Sequence, residues 1–218
     1  MKNPIRPTIK TEVVPIFFVI ISVILSFYFY AHFPDRVATH WNTQGMIDGW
    51  SSRAFAAFFF PALNIAIYFL LFFLPILDPK KANYENFRSA YHAIKFVLVF
   101  FLTTIYFLVG LNGVGFSVPV ALFVPAGVGF LFLIIGYYLA GIKQNWFLGI
   151  RTPWTLNSEV VWQKTHRFGS WIFMLSGLLL IIASLLSQWT WIFMTIILVM
   201  ILSIFIYSYF IYRQEQKG

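Results

Sequence analysis

The 218-residue sequence contains no cysteine and has few charged residues. Without cysteine, disulfide bonds and cysteine-ligated metal sites are excluded. Only 10% of the residues are charged and 60% are hydrophobic, whereas soluble domains carry roughly 25% charged residues. Most of the folded surface must therefore face something other than water, which excludes an ordinary soluble domain.

Charged residues are missing from four long stretches: 13–34, 54–77, 96–142 and 168–212. One helical crossing of a membrane needs about 20 apolar residues, so the first two stretches supply one helix each and the last two supply two each. Turns are expected at 112–119 and 187–190. The fold class predicted is an all-α polytopic membrane bundle with about six transmembrane helices: 13–33, 54–77, 94–111, 119–142, 168–187 and 189–212.

The distribution of basic residues predicts the orientation of this bundle. Thirteen of the fifteen Lys and Arg residues fall in segments that share one side, and the other side holds only Arg36 and Arg53. The positive-inside rule then places both termini and the loops 78–95 and 143–167 in the cytoplasm. The net charge of +8 is explained by topology and by contact with anionic lipid. No long basic run favours direct binding of nucleic acid.

The predicted helix centres lack ionisable side chains, which pumps and ion-coupled transporters need at membrane depth. Asn64 is expected to make an interhelical hydrogen bond. Pro61, Pro75 and Pro125 are expected to kink their helices, with neighbouring helices satisfying the carbonyls that proline leaves free. The core is interpreted as a scaffold, and recognition is expected in the loops.

The first outer loop, 34–50, is rich in turn and recognition residues. A tight turn at 42–45 favours a short hairpin of 36–41 with 46–50 on the membrane surface. A capped surface turn without further function is the alternative, and a metal site using His32, His40 and either Asp35 or Asp48 is another. No fixed ligand spacing supports metal, so neither metal nor a cofactor is predicted. The candidate ligand contacts are His40, Trp41, Asn42, Gly45, Asp48 and Trp50.

The inner loop 143–167 is the richest in chemically distinctive side chains. Pro153 ends any helix that continues from the fourth span, and Thr155, Asn157 or Ser158 can cap a new helix with Glu159 in its first turn. An internal Arg151–Glu159 ion pair is one interpretation, and a docking surface for a cytoplasmic protein is the other. The candidate docking residues are Arg151, Thr152, Trp154, Glu159, Trp162, Lys164, His166 and Arg167.

Catalysis is not predicted for this loop. Glu159 and His166 could act as acid and base on geometry, but no nucleophile accompanies them. The chain is therefore expected not to be an enzyme. In the 78–95 loop, Tyr84, Phe87 and Tyr91 recur at helical spacing, which predicts a short amphipathic helix lying in the membrane interface as an anchor.

Two of these loops resemble known families. The segment from Asn145 to Gly169, with its FLGIRTPWTL run, resembles the SdpI/YfhL family. The outer pattern HWN…G…DG (residues 40–49) resembles an uncharacterised N-terminal domain that is common in bacterial membrane proteins. The division expected is an N-terminal helical hairpin over 1–77 and a four-helix SdpI-like membrane domain over 78–218.

The resemblance implies a multi-pass protein of the bacterial plasma membrane that gives immunity to a secreted toxin peptide. It also implies a receptor that holds a cytoplasmic transcriptional repressor at the membrane. The outer candidates would then contact the peptide, and the inner candidates would dock the repressor. A transporter or exporter of an amphipathic peptide or lipid is the alternative, favoured by the kinked, glycine-containing third hairpin. An intramembrane metalloprotein built on His32, His40 and Asp48 is a third class.

Overall fold

The computed structural model describes residues 3–42, 45–186 and 189–217, without the side chains of 189 and 190. The predicted turn at 187–190 therefore lies largely outside the described residues. In chain order the elements are α1 (Ile9–His32), β1 (Arg36–Trp41), β2 (Ile47–Ser52), α2 (Arg53–Leu77), a 3₁₀ helix (Lys81–Asn86), α3 (Arg88–Gly113), α4 (Val120–Leu139), α5 (Pro153–Asn157), α6 (Glu159–Ala183) and α7 (Trp189–Glu215).

Six of the described helices (all but the five-residue α5) are long and apolar enough to cross a membrane. The predicted polytopic helical bundle is thereby confirmed, while its orientation stays a prediction. Three helices start several residues earlier than expected: α1 begins at Ile9 rather than 13, α3 at Arg88 rather than 94, and α6 at Glu159 rather than 168. The segments assigned to inner loops are thus partly helical. Within them Lys95 and His166 are buried and hydrogen-bonded, while Glu159, Lys164 and Arg167 are exposed, so charged residues do not mark the helix ends.

The prediction of an amphipathic helix lying in the membrane interface at 78–95 is wrong. A short 3₁₀ helix gives way to α3, and Tyr84, Phe87 and Tyr91 are buried rather than facing lipid. They form one apolar cluster with Ile5 and Trp162. Aromatic side chains at helical spacing look the same whether the covering surface is lipid or protein, so the spacing could not distinguish the two.

Helices α1, α2 and α3 form one packed group whose interior hydrogen bonds follow the expectations for Asn64 and the prolines. Asn64 Nδ2 donates to Thr103 Oγ1 at 2.8 Å, which confirms the predicted interhelical bond. Pro61 leaves the carbonyl four residues earlier without its helical donor. Tyr106 of α3 donates its hydroxyl to that carbonyl, Ala57 O, at 2.7 Å.

Pro75 is compensated in the same way, since Tyr91 donates its hydroxyl to Leu71 O at 2.6 Å. The two carbonyls that proline leaves free in α2 are therefore each bonded by a tyrosine of α3. For both prolines, the expectation that a neighbouring helix satisfies the free carbonyl is confirmed.

Helices α4 and α6 cross with their backbones in close contact. A Cβ added to Gly177 would lie 2.6 Å from the Gly129 carbonyl oxygen, and one added to Gly129 would lie 2.6 Å from the Gly177 carbonyl oxygen. About two helical turns further along, Ser170 Oγ donates to Gly136 O at 2.6 Å. Small residues allow this approach, which is how helices pack tightly in lipid. Helix α7 then packs on α6, with the Phe168 and Tyr207 rings stacked at 4.1 Å.

Candidate recognition sites at the two ends of the bundle

The outer loop forms the predicted hairpin. Strands β1 and β2 pair antiparallel, with Ala38 opposite Trp50. Val37 is buried in a cluster with Phe29 and Phe33 of the α1 end, which fixes the hairpin on the bundle. Ser52 then caps α2, accepting a hydrogen bond from the Phe55 amide. The hairpin is thus held at both of its bases by the membrane helices.

His40 and Asp48 face each other across the two strands. His40 Nδ1 and Asp48 Oδ1 lie 2.5 Å apart, and both side chains are exposed. Gly49 stands opposite His40 in the ladder, where an added Cβ would lie 2.8 Å from the His40 Cβ. A larger residue at 49 would therefore displace the histidine. The pair offers an incoming ligand one donor and acceptor site on an exposed, rigid ribbon.

The turn of the hairpin is closed by Asn42 and Gly45. The Asn42 side-chain oxygen accepts from the Met46 amide at 3.0 Å, and Gly45 has a φ of 78°, which a residue with a side chain rarely adopts. Residues 43 and 44 lie outside the described residues. Trp50 is exposed beside the pair and Trp41 is half-buried. All six outer candidates thus lie on one hairpin.

The residues considered for a metal site have separate partners. Asp35 pairs with Arg53 at 2.7 Å, and His32 Nδ1 lies 2.7 Å from the Tyr28 carbonyl of its own helix. Across the described ranges, no group of three or more His, Cys, Asp or Glu residues is placed to hold a metal ion. The geometry therefore favours a polar contact surface over a metal centre.

At the opposite end, the loops 78–87 and 142–157 fold together on the start of α6 into one compact unit, which we call the inner module. Asp78 Oδ2 accepts from the Tyr84 hydroxyl at 2.8 Å and from the Trp146 amide at 2.9 Å. Asn145 Oδ1 accepts from the amides of Phe147 and Leu148. Burial and then the Asp78 carboxylate raise the pKa of Tyr84, so its hydroxyl stays protonated and donates.

Gln144 joins the two loops of the module. Its Nε2 donates to the carbonyls of Thr155 and Leu156 at 2.8 and 3.0 Å, and its Oε1 accepts from Lys80 Nζ. The Gln144 carbonyl accepts from Asn83 Nδ2 at 2.7 Å. Buried polar side chains with this many partners specify one loop arrangement. The sequence did not predict that Asp78, Tyr84 and Gln144 belong to one hydrogen-bond network, because their partners lie in separate loops.

Trp162 and His166 are buried inside the module. Their rings stack at 4.0 Å, and Trp162 Nε1 donates to Ile142 O at 2.8 Å. His166 Nε2 accepts from the Ile150 amide at 3.0 Å, so its Nδ1 carries the proton and donates to Trp162 O. Both ring nitrogens are used structurally. These two residues fix the loop to α6 and cannot touch a partner protein.

Thr152 is likewise buried, forming a capping box with Thr155 at the start of α5. Ser158 caps α6 and Glu159 lies in its first turn, as predicted. With His166 enclosed and Glu159 exposed, the acid–base pair considered from the sequence is not assembled.

The remaining inner candidates form the outer surface of the module. Arg151, Glu159, Lys164 and Arg167 are exposed. Arg151 donates to the Trp146 carbonyl at 2.7 Å instead of pairing with Glu159. The interpretation of these two residues as an internal ion pair is therefore wrong. Trp154 is half-buried against the rings of Phe205 and Tyr209 in α7. Of the eight inner candidates, these four exposed residues are the most accessible to another molecule.

The α1–α2–α3 group contains a charged cluster that was not predicted from the sequence. Lys95 Nζ lies 2.7 Å from both carboxylate oxygens of Glu12, and the Tyr68 hydroxyl donates to Glu12 at 2.9 Å. His92 Nδ1 lies 3.6 Å from the same carboxylate. Lys95 is fully buried. The available signal was that Glu12 and Lys95 directly precede the first and third uncharged stretches.

Comparison with known proteins agrees with this architecture. Residues 141–209 match the model of the SdpI/YfhL protein family, and residues 17–65 match a model described as a domain of unknown function (DUF1648). The chain is similar to Immunity protein SdpI of Bacillus subtilis (strain 168), with 26% identity over 194 residues that cover 88% of this chain and 90% of the relative. No solved structure matches.

The family-model match covers the 142–157 loop of the inner module, which contains α5, together with α6 and most of α7. The interpretation of the outer pattern as an accompanying domain stays a prediction, as does the division of the chain at residue 77. Six apolar helices and the similarity to a membrane immunity protein support a multi-pass protein of the bacterial plasma membrane. Residues 141–209 are thus similar to the SdpI/YfhL family, and the chain along most of its length is similar to Immunity protein SdpI.

Proposed function

We propose that this chain is a membrane immunity protein that protects its cell from a secreted antimicrobial peptide. The observation that carries the proposal is the similarity to Immunity protein SdpI along nearly the whole of both chains. The chain has no assembled acid–base site among the residues considered for one, and its exposed charged side chains lie toward the two ends of the bundle. These features support a binding role over catalysis.

The outer hairpin is the proposed peptide contact. His40, Asp48 and Trp50 are exposed on a ribbon whose bases are fixed by α1 and α2. An aromatic ring beside a donor–acceptor pair suits an amphipathic peptide lying on the membrane, since the ring takes apolar side chains and the pair takes polar ones. A rigid ribbon also loses little conformational entropy on binding.

The test is protection of a sensitive cell. The chain is expressed in a Bacillus subtilis strain that lacks SdpI, and survival is measured against the peptide that this strain secretes. We expect restored growth with the wild-type chain and at least a tenfold loss of protection in His40→Ala, roughly the loss of one charge-assisted contact.

Thr39→Ala is the matched control, because Thr39 also makes one cross-strand side-chain contact, to Ser51 Oγ at 2.9 Å. It should protect like the wild type. Unchanged killing with the wild-type chain present in the membrane would contradict the immunity proposal. Equal losses in His40→Ala and Thr39→Ala would instead assign His40 to hairpin stability.

The inner module is proposed to dock a cytoplasmic transcriptional repressor when peptide is bound, as the family resemblance implies. Arg151, Lys164 and Arg167 would meet acidic groups on that partner, and Glu159 a basic one. In the same strain, the tagged repressor should move to the membrane on exposure to peptide. The double variant Arg151→Ala/Lys164→Ala should abolish this movement and leave survival intact. Loss of both the movement and survival would contradict a separate docking role.

Export of an amphipathic peptide or lipid is the second candidate. A predominantly apolar cleft of about 400 Å³ opens between α3 and α4, lined by residues such as Phe100, Phe101 and Phe130. Such a cleft could pass an apolar segment along the bundle. A flux assay in proteoliposomes separates the two functions, because a receptor should move no labelled peptide or lipid.

A further inference from the structure

A second cleft lies at the end of the bundle that carries the chain termini. It separates an N-terminal strap, residues 3–8, from the 3₁₀ helix at 81–86, and its volume is about 780 Å³. Polar and basic side chains contribute to its walls, unlike the apolar cleft between α3 and α4. Its lining residues are Asn3, Pro4, Arg6, Lys81, Ala82 and Glu85.

The strap that forms one wall is firmly attached. Ile5 is buried in the apolar cluster that contains Tyr84 and Trp162. Asn3 Nδ2 donates to the Phe72 carbonyl at 2.9 Å, and His92 Nε2 donates to the Ile5 carbonyl at 2.9 Å. The cleft is therefore preformed, and a ligand entering it would not have to order the strap.

Arg6 occupies a strained position in this wall. Its φ is 47°, the left-handed region that glycine or asparagine adopts far more easily. Its amide closes a turn to Asn3 O at 3.0 Å. An arginine at a turn that favours glycine or asparagine keeps its guanidinium at the cleft in spite of the strain. An outlier of this kind points to a role for the side chain.

Positive charge predominates around the cleft. Arg6 Nη2 lies 2.9 Å from Glu85 Oε1, and both side chains are at least half exposed. Lys81 lines the cleft, and Arg88 Nε donates to the Glu85 carbonyl at 3.4 Å. The cleft lining thus holds two cations, Arg6 and Lys81, and one carboxylate, Glu85. Because an exposed ion pair is weak in water, an incoming anion can replace Glu85 on Arg6.

The cleft lies at the depth of lipid headgroups. Arg6 is two residues before Thr8, the N-cap of α1, and Ile9 follows the cap with 85% of its surface exposed. Leu77 at the end of α2 is 69% exposed. Exposed aliphatic side chains at these helix ends need hydrocarbon around them, so the polar cleft just beyond them meets the headgroup layer. This holds for either orientation of the chain.

We propose that this cleft binds the phosphate-bearing headgroup of an anionic phospholipid, with Arg6 and Lys81 as its direct contacts. Arginine forks onto phosphate oxygens with two parallel hydrogen bonds, and lysine adds a point charge. The site is independent of peptide recognition, and it would hold the inner module against the membrane surface.

The test titrates the purified full-length chain in detergent with phosphatidylglycerol, phosphatidylcholine and inorganic phosphate, and counts bound ligand by native mass spectrometry. We expect phosphatidylglycerol to bind in preference to phosphatidylcholine. Arg6→Asn, which suits the left-handed backbone, should weaken phosphatidylglycerol binding about tenfold. Displacement of the lipid by inorganic phosphate alone would overturn the assignment to a lipid headgroup.

Two further variants separate a binding role from a structural one. Glu85→Gln breaks the same ion pair as Arg6→Asn, yet it should tighten lipid binding because it removes the competing carboxylate. Lys10→Ala removes an exposed cation outside the cleft and should leave binding unchanged. Weaker binding in Glu85→Gln, or an equal loss in Lys10→Ala, would overturn the proposal. Lys81→Ala provides the same readout should Arg6→Asn fail to fold.

Discussion

Individual residues of this chain show how much a buried partner changes the meaning of a side chain. Lys95 follows a run of loop-like residues in the sequence, yet in the fold it is fully buried and bound by both oxygens of Glu12. Trp162 and His166 looked like surface recognition residues, yet they are enclosed by the loop that they hold. In each case a partner from another segment of the chain encloses the side chain.

At this scale we predict the effect of breaking the Glu12–Lys95 pair. Glu12→Gln or Lys95→Met should each lower the free energy of unfolding by about 3 kcal/mol, because each leaves an uncompensated buried charge. The double variant leaves no charge and should lose less than either single variant. Unfolding in detergent micelles measures all three, and additive losses would contradict a coupled pair. Asp35→Asn, which breaks the exposed Asp35–Arg53 pair, is the control and should change little.

At the scale of elements, the bundle is joined by two different devices. Helices α2 and α3 are linked by tyrosine hydroxyls that satisfy the carbonyls released by Pro61 and Pro75. Helices α4 and α6 instead meet backbone to backbone at Gly129 and Gly177. In lipid there is little hydrophobic force between helices, so hydrogen bonds and close packing of this kind hold the bundle together.

The prediction at this scale concerns the glycine crossing. Gly177→Ala should lower the thermal midpoint, because its Cβ would lie 2.6 Å from the Gly129 carbonyl oxygen and force α4 and α6 apart. Gly127→Ala is the matched control on α4. Its Cβ would meet only the Phe101 ring edge, at 3.1 Å, which can shift. A midpoint for Gly177→Ala at or above that of Gly127→Ala would contradict the close crossing.

In the whole molecule, the outer hairpin and the inner module, the two surfaces proposed for recognition, lie at opposite ends of the bundle. Any coupling between them has to pass through helices that are continuous from one end to the other. Helix α1 runs between the two ends: Phe33 at its outer end packs in the hairpin cluster, and Glu12 near its other end binds Lys95 of α3. Which end faces the cytoplasm is set by the distribution of basic residues.

The prediction at this scale is the sidedness of the two surfaces. Because the chain has no cysteine, single substitutions Met46→Cys in the hairpin and Lys164→Cys in the inner module give unambiguous labelling positions, both exposed. In intact cells a membrane-impermeant maleimide should label position 46 and should label 164 only after lysis. Labelling of both in intact cells would contradict the predicted topology.

The sequence by itself determined the number of spanning helices and the hairpin in the first outer loop, and it named Ser158 as one of three possible helix caps. These features depend on local composition: an apolar run of sufficient length must cross the membrane, and turn or capping residues act on their own neighbours. The uncharged stretches therefore counted the helices correctly, even though α3 and α6 begin several residues earlier.

Only the tertiary structure decided which polar side chains are enclosed. The Glu12–Lys95 contact joins residues 83 positions apart, and the Asp78–Trp146 contact joins residues 68 positions apart. Whether a tyrosine, histidine or lysine faces water, lipid or protein depends on such distant segments. Residue spacing within one helix carries no information about them, which is why Tyr84, Trp162 and His166 were assigned to surfaces and are found in the core.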